Sequence, residues 1–267
     1  MKRNRFSVSF AVIIFFCPLM SGCIFSGDNL VQGSENHGIP GGLALACLRS
    51  SQYKELILEI DYESGYEPQK ETLDLLEQRL DDVCDKPRGV TIELQLTNFE
   101  HTGDWSSDEI RIKSKEILSE SAMSGDILRW HYLFPSGKYV DDGVLGVAVD
   151  ASTVVMFLDS IAEAENCILL ICRPNAEEIE KSVTIHESGH LLGLVNIVYT
   201  SDIDHEDKSH PNHSNNEDSV MYWAVETADV GNIISGELPN SFDSADLSDL
   251  DKLSKGELIA HSQLWSD

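Results

Sequence analysis

Positive charge is scarce in this sequence. It carries 19 Lys and Arg against 46 Asp and Glu, a net charge of −27 over 267 residues. So acidic a chain repels phosphates, which argues against a nucleic-acid partner. It also argues against electrostatic attachment to anionic lipid. Long hydrophobic runs are missing too: the main apolar stretch, Phe6 to Met20, is too short for a comfortable membrane span. No internal repeat or heptad series stands out, so nothing points to a solenoid or a long coiled coil. None of the cysteines sits in a CxxC pair, and a cysteine zinc site is therefore not expected.

What is present begins with a basic head, Met1-Lys2-Arg3-Asn4-Arg5, then the apolar stretch, then small residues in Met20-Ser21-Gly22-Cys23. That order is an export signal. A cysteine directly after Ser-Gly resembles the lipobox of prokaryotic lipoproteins, with Met20 where leucine is commoner. The resemblance implies cleavage before Cys23 and lipid on its thiol; the plain alternative is an ordinary signal with an incidental cysteine. Removing residues 1–22 takes away Lys2, Arg3 and Arg5 and no acid, which leaves 16 basic and 46 acidic residues, a net −30. Such a surface fits solubility, in salty surroundings or outside them. Residues 23–38 are rich in Gly, Ser, Asn and Asp and read as a flexible tether. Residues 39–267 are then one domain, long enough for a real core.

Beyond Cys17 and Cys23 four cysteines remain, and an even number in an exported chain suggests two disulfides. Of three pairings we favour Cys47–Cys84 with Cys167–Cys172; the apolar surroundings of Cys47 suit either a bridge or the core.

Hydrophobic periodicity predicts a strand over 54–60, a helix over 67–84 and a strand over 90–96, the strand-helix-strand opening of an α/β layer. Ser106 or Ser107 caps a second helix running to about Glu120. Strands are expected over 127–134 and 144–149, and 154–161 suits either strand or helix. A long helix over 177–192 ends at Gly193. The polar stretch from there to about Asp218 is long for a compact domain, hence functional or disordered. Ser241 is expected to cap a last helix to Leu253.

Within the long helix stands His186-Glu187-Ser188-Gly189-His190. Residues four apart share a helix face. His186 and His190 can therefore present two imidazoles to one zinc ion, with Glu187 beside them to take a proton from an activated water and pass it to a leaving amine. The apolar upstream face, Ile179, Val183 and Ile185, favours this over a chance pair on a surface helix. Catalytic zinc needs a third protein ligand, and His205, His210, His213 and Asn196 are candidates. Asp202, Asp204, Glu206 and Asp207 are read as a solvated loop face rather than as a second metal site. His101, His131 and His261 are isolated, structural or exposed.

His186 to Asn196 resembles the metzincin pattern HExxHxxGxxH, with Asn196 where the third histidine stands. His213-Ser214-Asn215-Asn216-Glu217-Asp218-Ser219-Val220-Met221 resembles the archaemetzincin spacing from third ligand to Met-turn, with Ser214 and Ser219 in place of its cysteines; Met221-Tyr222 resembles the Met-Tyr of matrixins. The resemblance covers residues 183–223. It implies His213 as third ligand, Met221 beneath the metal, an insertion over about 196–212, and a single catalytic Zn2+, since the cysteines of a second site are missing. Tyr222 reads as packing beside the turn. No cysteine-switch pattern appears.

The expected fold is thus α+β with an α/β-type layer: a metzincin-like domain with a mixed twisted sheet, an active-site helix and a Met-turn. The expected function is hydrolysis of peptide or protein substrates, with membrane contact only through a lipid anchor and the 144–150 strand as cleft rim. The rivals are a gluzincin-like peptidase with a downstream glutamate ligand such as Glu226, and a lipoprotein binding module that holds zinc and cleaves nothing. Intact Glu187 argues against the latter.

Overall fold

Leu56, Leu58 and Ile60 alternate with Ile57, Glu59 and Asp61 along the first strand, and all six are buried. Alternation sends the two sets to opposite faces, so this strand is covered on both sides. It is the middle of a layered molecule. The structure, a computed structural model, describes residues 38–165, 174–227 and 238–261, with the backbone alone of 167–168 and 171–172. The export signal, Cys23 and nearly all of the tether lie outside the described residues, as do the side chains of Cys167 and Cys172.

The elements run α1 (Ala44–Leu48), β1 (Glu55–Tyr62), α2 (Lys70–Val83), β2 (Val90–Leu96), α3 (Ser107–Ile117), β3 (Met123–Ser124), β4 (Ile127–Phe134), β5 (Gly146–Ala148), β6 (Thr153–Met156) and α4 (Leu158–Glu163). They continue with β7 (Cys167–Ile168), β8 (Ile171–Cys172), α5 (Ala176–Leu191), a 3-10 turn (Trp223–Glu226) and α6 (Ser244–Lys255). The main sheet has the order β2-β1-β4-β6-β5, with β3 paired to β4. β2, β1, β4 and β6 are parallel, while β5 runs antiparallel at the edge. This is a mixed α/β architecture of α+β type. Among the described residues no helix is long and apolar enough to cross a membrane.

One sheet face, formed by Leu56, Leu58, Ile60, Leu128, Trp130, Tyr132, Val154 and Met156, packs with α1, α2 and α5 into the main core. Each such side chain contributes about 1.5–3 kcal/mol on burial. The other face carries Leu133 and Val155 in a smaller core with Phe99, Trp105, Ile110 and Phe157. It also carries polar groups under α3. Arg129 bonds Glu59 at 2.9 Å, His131 bonds Asp61 at 2.8 Å and Ser114 at 2.7 Å, and Thr97 bonds Asp61. His131 is thus structural and buried.

Local signals explain most boundaries. Ser106 caps α3 and Asn175 caps α5, each in a reciprocal capping box with Glu109 or Glu178. Gly193, at φ +82°, follows the end of α5 in the left-handed conformation. The 154–161 stretch divides into a strand and a helix. The last helix departs from expectation: Asp243 caps it, accepting from the N–H of Ala245 and Asp246, whereas the Ser241 carbonyl accepts from Val220 N–H. A carboxylate two residues nearer the helix wins because it reaches two free N–H groups and complements the helix dipole. Cys47 and Cys84 form the expected disulfide, tying α1 to the end of α2 with Cα atoms 4.9 Å apart. Cys167 and Cys172 face each other across the β7–β8 ribbon.

Candidate metal centre

His186 and His190 lie one turn apart on α5, both buried, with Nε2 atoms 3.1 Å apart. His213 comes in from the polar loop, its ring centroid 5.2 Å from that of His186 and 5.1 Å from that of His190. Glu226, at the end of the 3-10 turn, places carboxylate oxygens 3.0 Å from His213 Nε2, 3.5 Å from His186 Nε2 and 3.9 Å from His190 Nε2. One donor atom from each of the four residues lies within 4.8 Å of all the others.

Each imidazole is oriented by its far nitrogen. His186 Nδ1 donates to the Val220 carbonyl at 2.7 Å, His190 Nδ1 to Leu194 at 3.1 Å and His213 Nδ1 to Pro211 at 3.0 Å. A carbonyl accepts only from a protonated Nδ1, so in the neutral rings the lone pairs sit on the Nε2 atoms, which converge. Corners of a tetrahedron with metal–donor distances of about 2.1 Å lie about 3.4 Å apart. The His186–His190 separation of 3.1 Å and the Glu226 oxygen separations of 3.0–3.9 Å straddle that value, and all four donors lie within 4.8 Å of one another. His213 Nε2 makes no hydrogen bond although a Glu226 oxygen is near, so its in-plane axis is not aimed at that carboxylate. The donor set fits zinc.

Electrostatics point the same way. Burial lowers the His186 pKa to about 4, keeping the ring neutral. Burial works to raise the Glu226 carboxyl, but contacts with His186, His190 and His213 outweigh it and hold Glu226 well below the usual carboxylate range. Burial works to lower His213, and Glu226 outweighs it in turn, so His213 is raised. The pocket calls for positive charge, either a proton shared with His213 or a metal ion.

Glu187 stands beside the cluster, completely buried against the edge strand. Gly146 of β5 makes the room: a Cβ there would come within 2.7 Å of Val183 Cγ1 and 3.0 Å of Glu187 Cγ. Neither carboxylate oxygen has a well-formed hydrogen bond. Burial raises the Glu187 pKa well above the ordinary value, the Glu226 charge adds to this, and the Ala148 N–H partly opposes it. Met221 lies beneath α5 where Gly189 leaves space, and Ser219 Oγ accepts from Met221 N–H at 3.0 Å while donating to buried Asp246 at 2.6 Å.

No known protein family, curated protein or solved structure matches this chain.

The other candidates go elsewhere. Asn196 turns into the loop, donating to Glu206 at 2.9 Å and accepting from Ser201 N–H at 2.8 Å. His205 is buried against Asp249 at 2.9 Å, and His210 bonds Asp207 and stacks on Trp223 at 4.2 Å. Asp202 pairs with Lys252 and Glu206 caps Asn212 N–H. Asp202, Asp204, Glu206 and Asp207 thus form no metal cluster among the described residues. The polar stretch after Gly193 is ordered through these contacts and is not structureless. Sequence reasoning placed Glu226 only in a rival ligand set; no spacing rule joins it to His213, and only the turn after Met221 brings the two together.

Proposed function

We propose that this protein is a metzincin-type zinc peptidase. The convergence of His186, His190 and His213, each held by a backbone carbonyl, carries this reading, with Glu187 directly beside it. A zinc ion held by the three histidines would supply Lewis-acid activation of water and of the scissile carbonyl. Glu187 would take the proton from the attacking water and pass it to the leaving amine, and burial raises its proton affinity above that of an ordinary carboxylate. The mixed sheet with one antiparallel edge strand supports the same reading, because a peptide added to β5 would lie next to Glu187. Met221, packed beneath α5, supports the Met-turn assignment. Export with a lipid on Cys23 places the site outside the membrane, and the Cys47–Cys84 bridge suits an oxidising compartment.

The test is Glu187→Ala, with zinc content and cleavage of a broad peptide library measured together. Zinc retained with cleavage reduced about 10²–10⁴-fold is expected. Cleavage that survives the substitution unchanged overturns the reading.

A further inference from the structure

Open catalytic zinc sites offer three protein ligands, and closed structural ones offer four. This centre brings four. We propose that Glu226 is a fourth protein donor and that the chain thereby keeps its own site closed at rest, an inference that rests on the zinc reading above. Its carboxylate lies 3.0–3.9 Å from the Nε2 atoms of all three histidines. Among the described residues Glu226 is the acid that joins the three histidines in one donor set, and Glu187 is not part of it.

The backbone around Glu226 is anchored on both sides. Its carbonyl accepts from Leu145 N–H at 3.0 Å, and Thr227 bridges antiparallel to Val144. Those two residues lead directly into β5, the edge strand proposed to receive substrate. At the other end of the turn, Trp223 stacks on His210 at 4.2 Å and 9° between planes. The segment therefore occupies the run into the rim strand while its carboxylate reaches the ligands. A peptide extending along Val144 and Leu145 must displace Glu226 and Thr227 from the same backbone groups. Substrate binding and removal of the fourth donor are one event, so closure at rest gives way to a suitable extended peptide and resists small anions.

The experiment loads Co2+ into purified wild type, Glu226→Ala and Glu226→Gln, and follows the visible spectrum during azide titration, with metal affinity and peptide cleavage measured alongside. The wild-type spectrum should stay unchanged at azide concentrations that shift both variants, whose Co2+ affinity should fall about 10–100-fold. Basal cleavage should rise about tenfold or more. Glu226→Gln keeps the side-chain volume and serves if the alanine variant does not fold. Equal azide responses in wild type and variants, or unchanged metal affinity, overturn the closure, and do so without touching the peptidase reading. The expected spectra with no cleavage in any variant uphold the closure and sink the peptidase reading. A wild-type chain that takes up no Co2+ overturns both.

Discussion

Asp150 shows how a single buried group ties this fold to pH. It sits in the turn between β5 and β6, 1% exposed, accepting from Ser152 N–H at 2.9 Å. Burial raises its pKa to about 6, against about 3.9 in an unfolded chain. A carboxyl raised on folding contributes stability that is complete below the unfolded value and is lost as pH rises through the folded one. Roughly two units correspond to about 3 kcal/mol. Asp150→Asn should therefore show a flatter stability–pH curve between pH 4 and 7 in denaturant titrations, and identical slopes in both chains would refute the assignment. Nothing in the sequence separates Asp150 from forty-five other acids, because its shift comes from covering by tertiary neighbours. His186, Glu187 and His190 were legible at this scale because one helix sets their geometry. His213 was legible only through its distance from Met221.

At the scale of elements, α5 and the turn containing Met221 fit through one missing side chain. A Cβ at Gly189 would land on Met221 Sδ and come within 3.1 Å of Phe242 Cε1. Alanine in place of helical glycine gains up to about 1 kcal/mol in propensity, and overpacking costs about 1–3 kcal/mol. Gly189→Ala should lower the thermal midpoint, as calorimetry would show; a raised midpoint would mean that Met221 is free to move aside. β2 and β4 fell where the sequence predicts, β2 from its alternating Val90, Ile92, Leu94 and Leu96 and β4 from a short run buried along nearly its whole length. The strand–helix split at Phe157 was not legible, because an apolar run buried on all sides looks alike in either conformation. The cap of α6 was missed by two residues, as both Ser241 and Asp243 are good cap types and only the docking of Ser241 onto Val220 decides between them.

At the scale of the whole molecule, strands and helices from distant parts of the chain assemble around one pocket. α5 supplies two imidazoles with the Glu187 carboxylate beside them, the loop before Met221 supplies the third imidazole, and the turn beside β5 supplies a second carboxylate. α6 holds the loop in place through His205–Asp249, Ser201–Asp249 and Ser219–Asp246. The α/β layer was readable from the strand-helix-strand opening, whose two strands both pair with parallel neighbours; the antiparallel edge strand was not readable from it. The packing of the insertion was not, because its polar residues bond one another and α6 through contacts with no periodic pattern. The net charge of −27 over the chain bears on solubility rather than on fold.

The most direct test of the account is zinc stoichiometry on the purified wild-type chain beside His213→Ala. One zinc per chain in the wild type, lost in His213→Ala, is the expected result. A wild type that binds no zinc, or a His213→Ala chain that holds it as tightly as wild type, would contradict the metal centre described here.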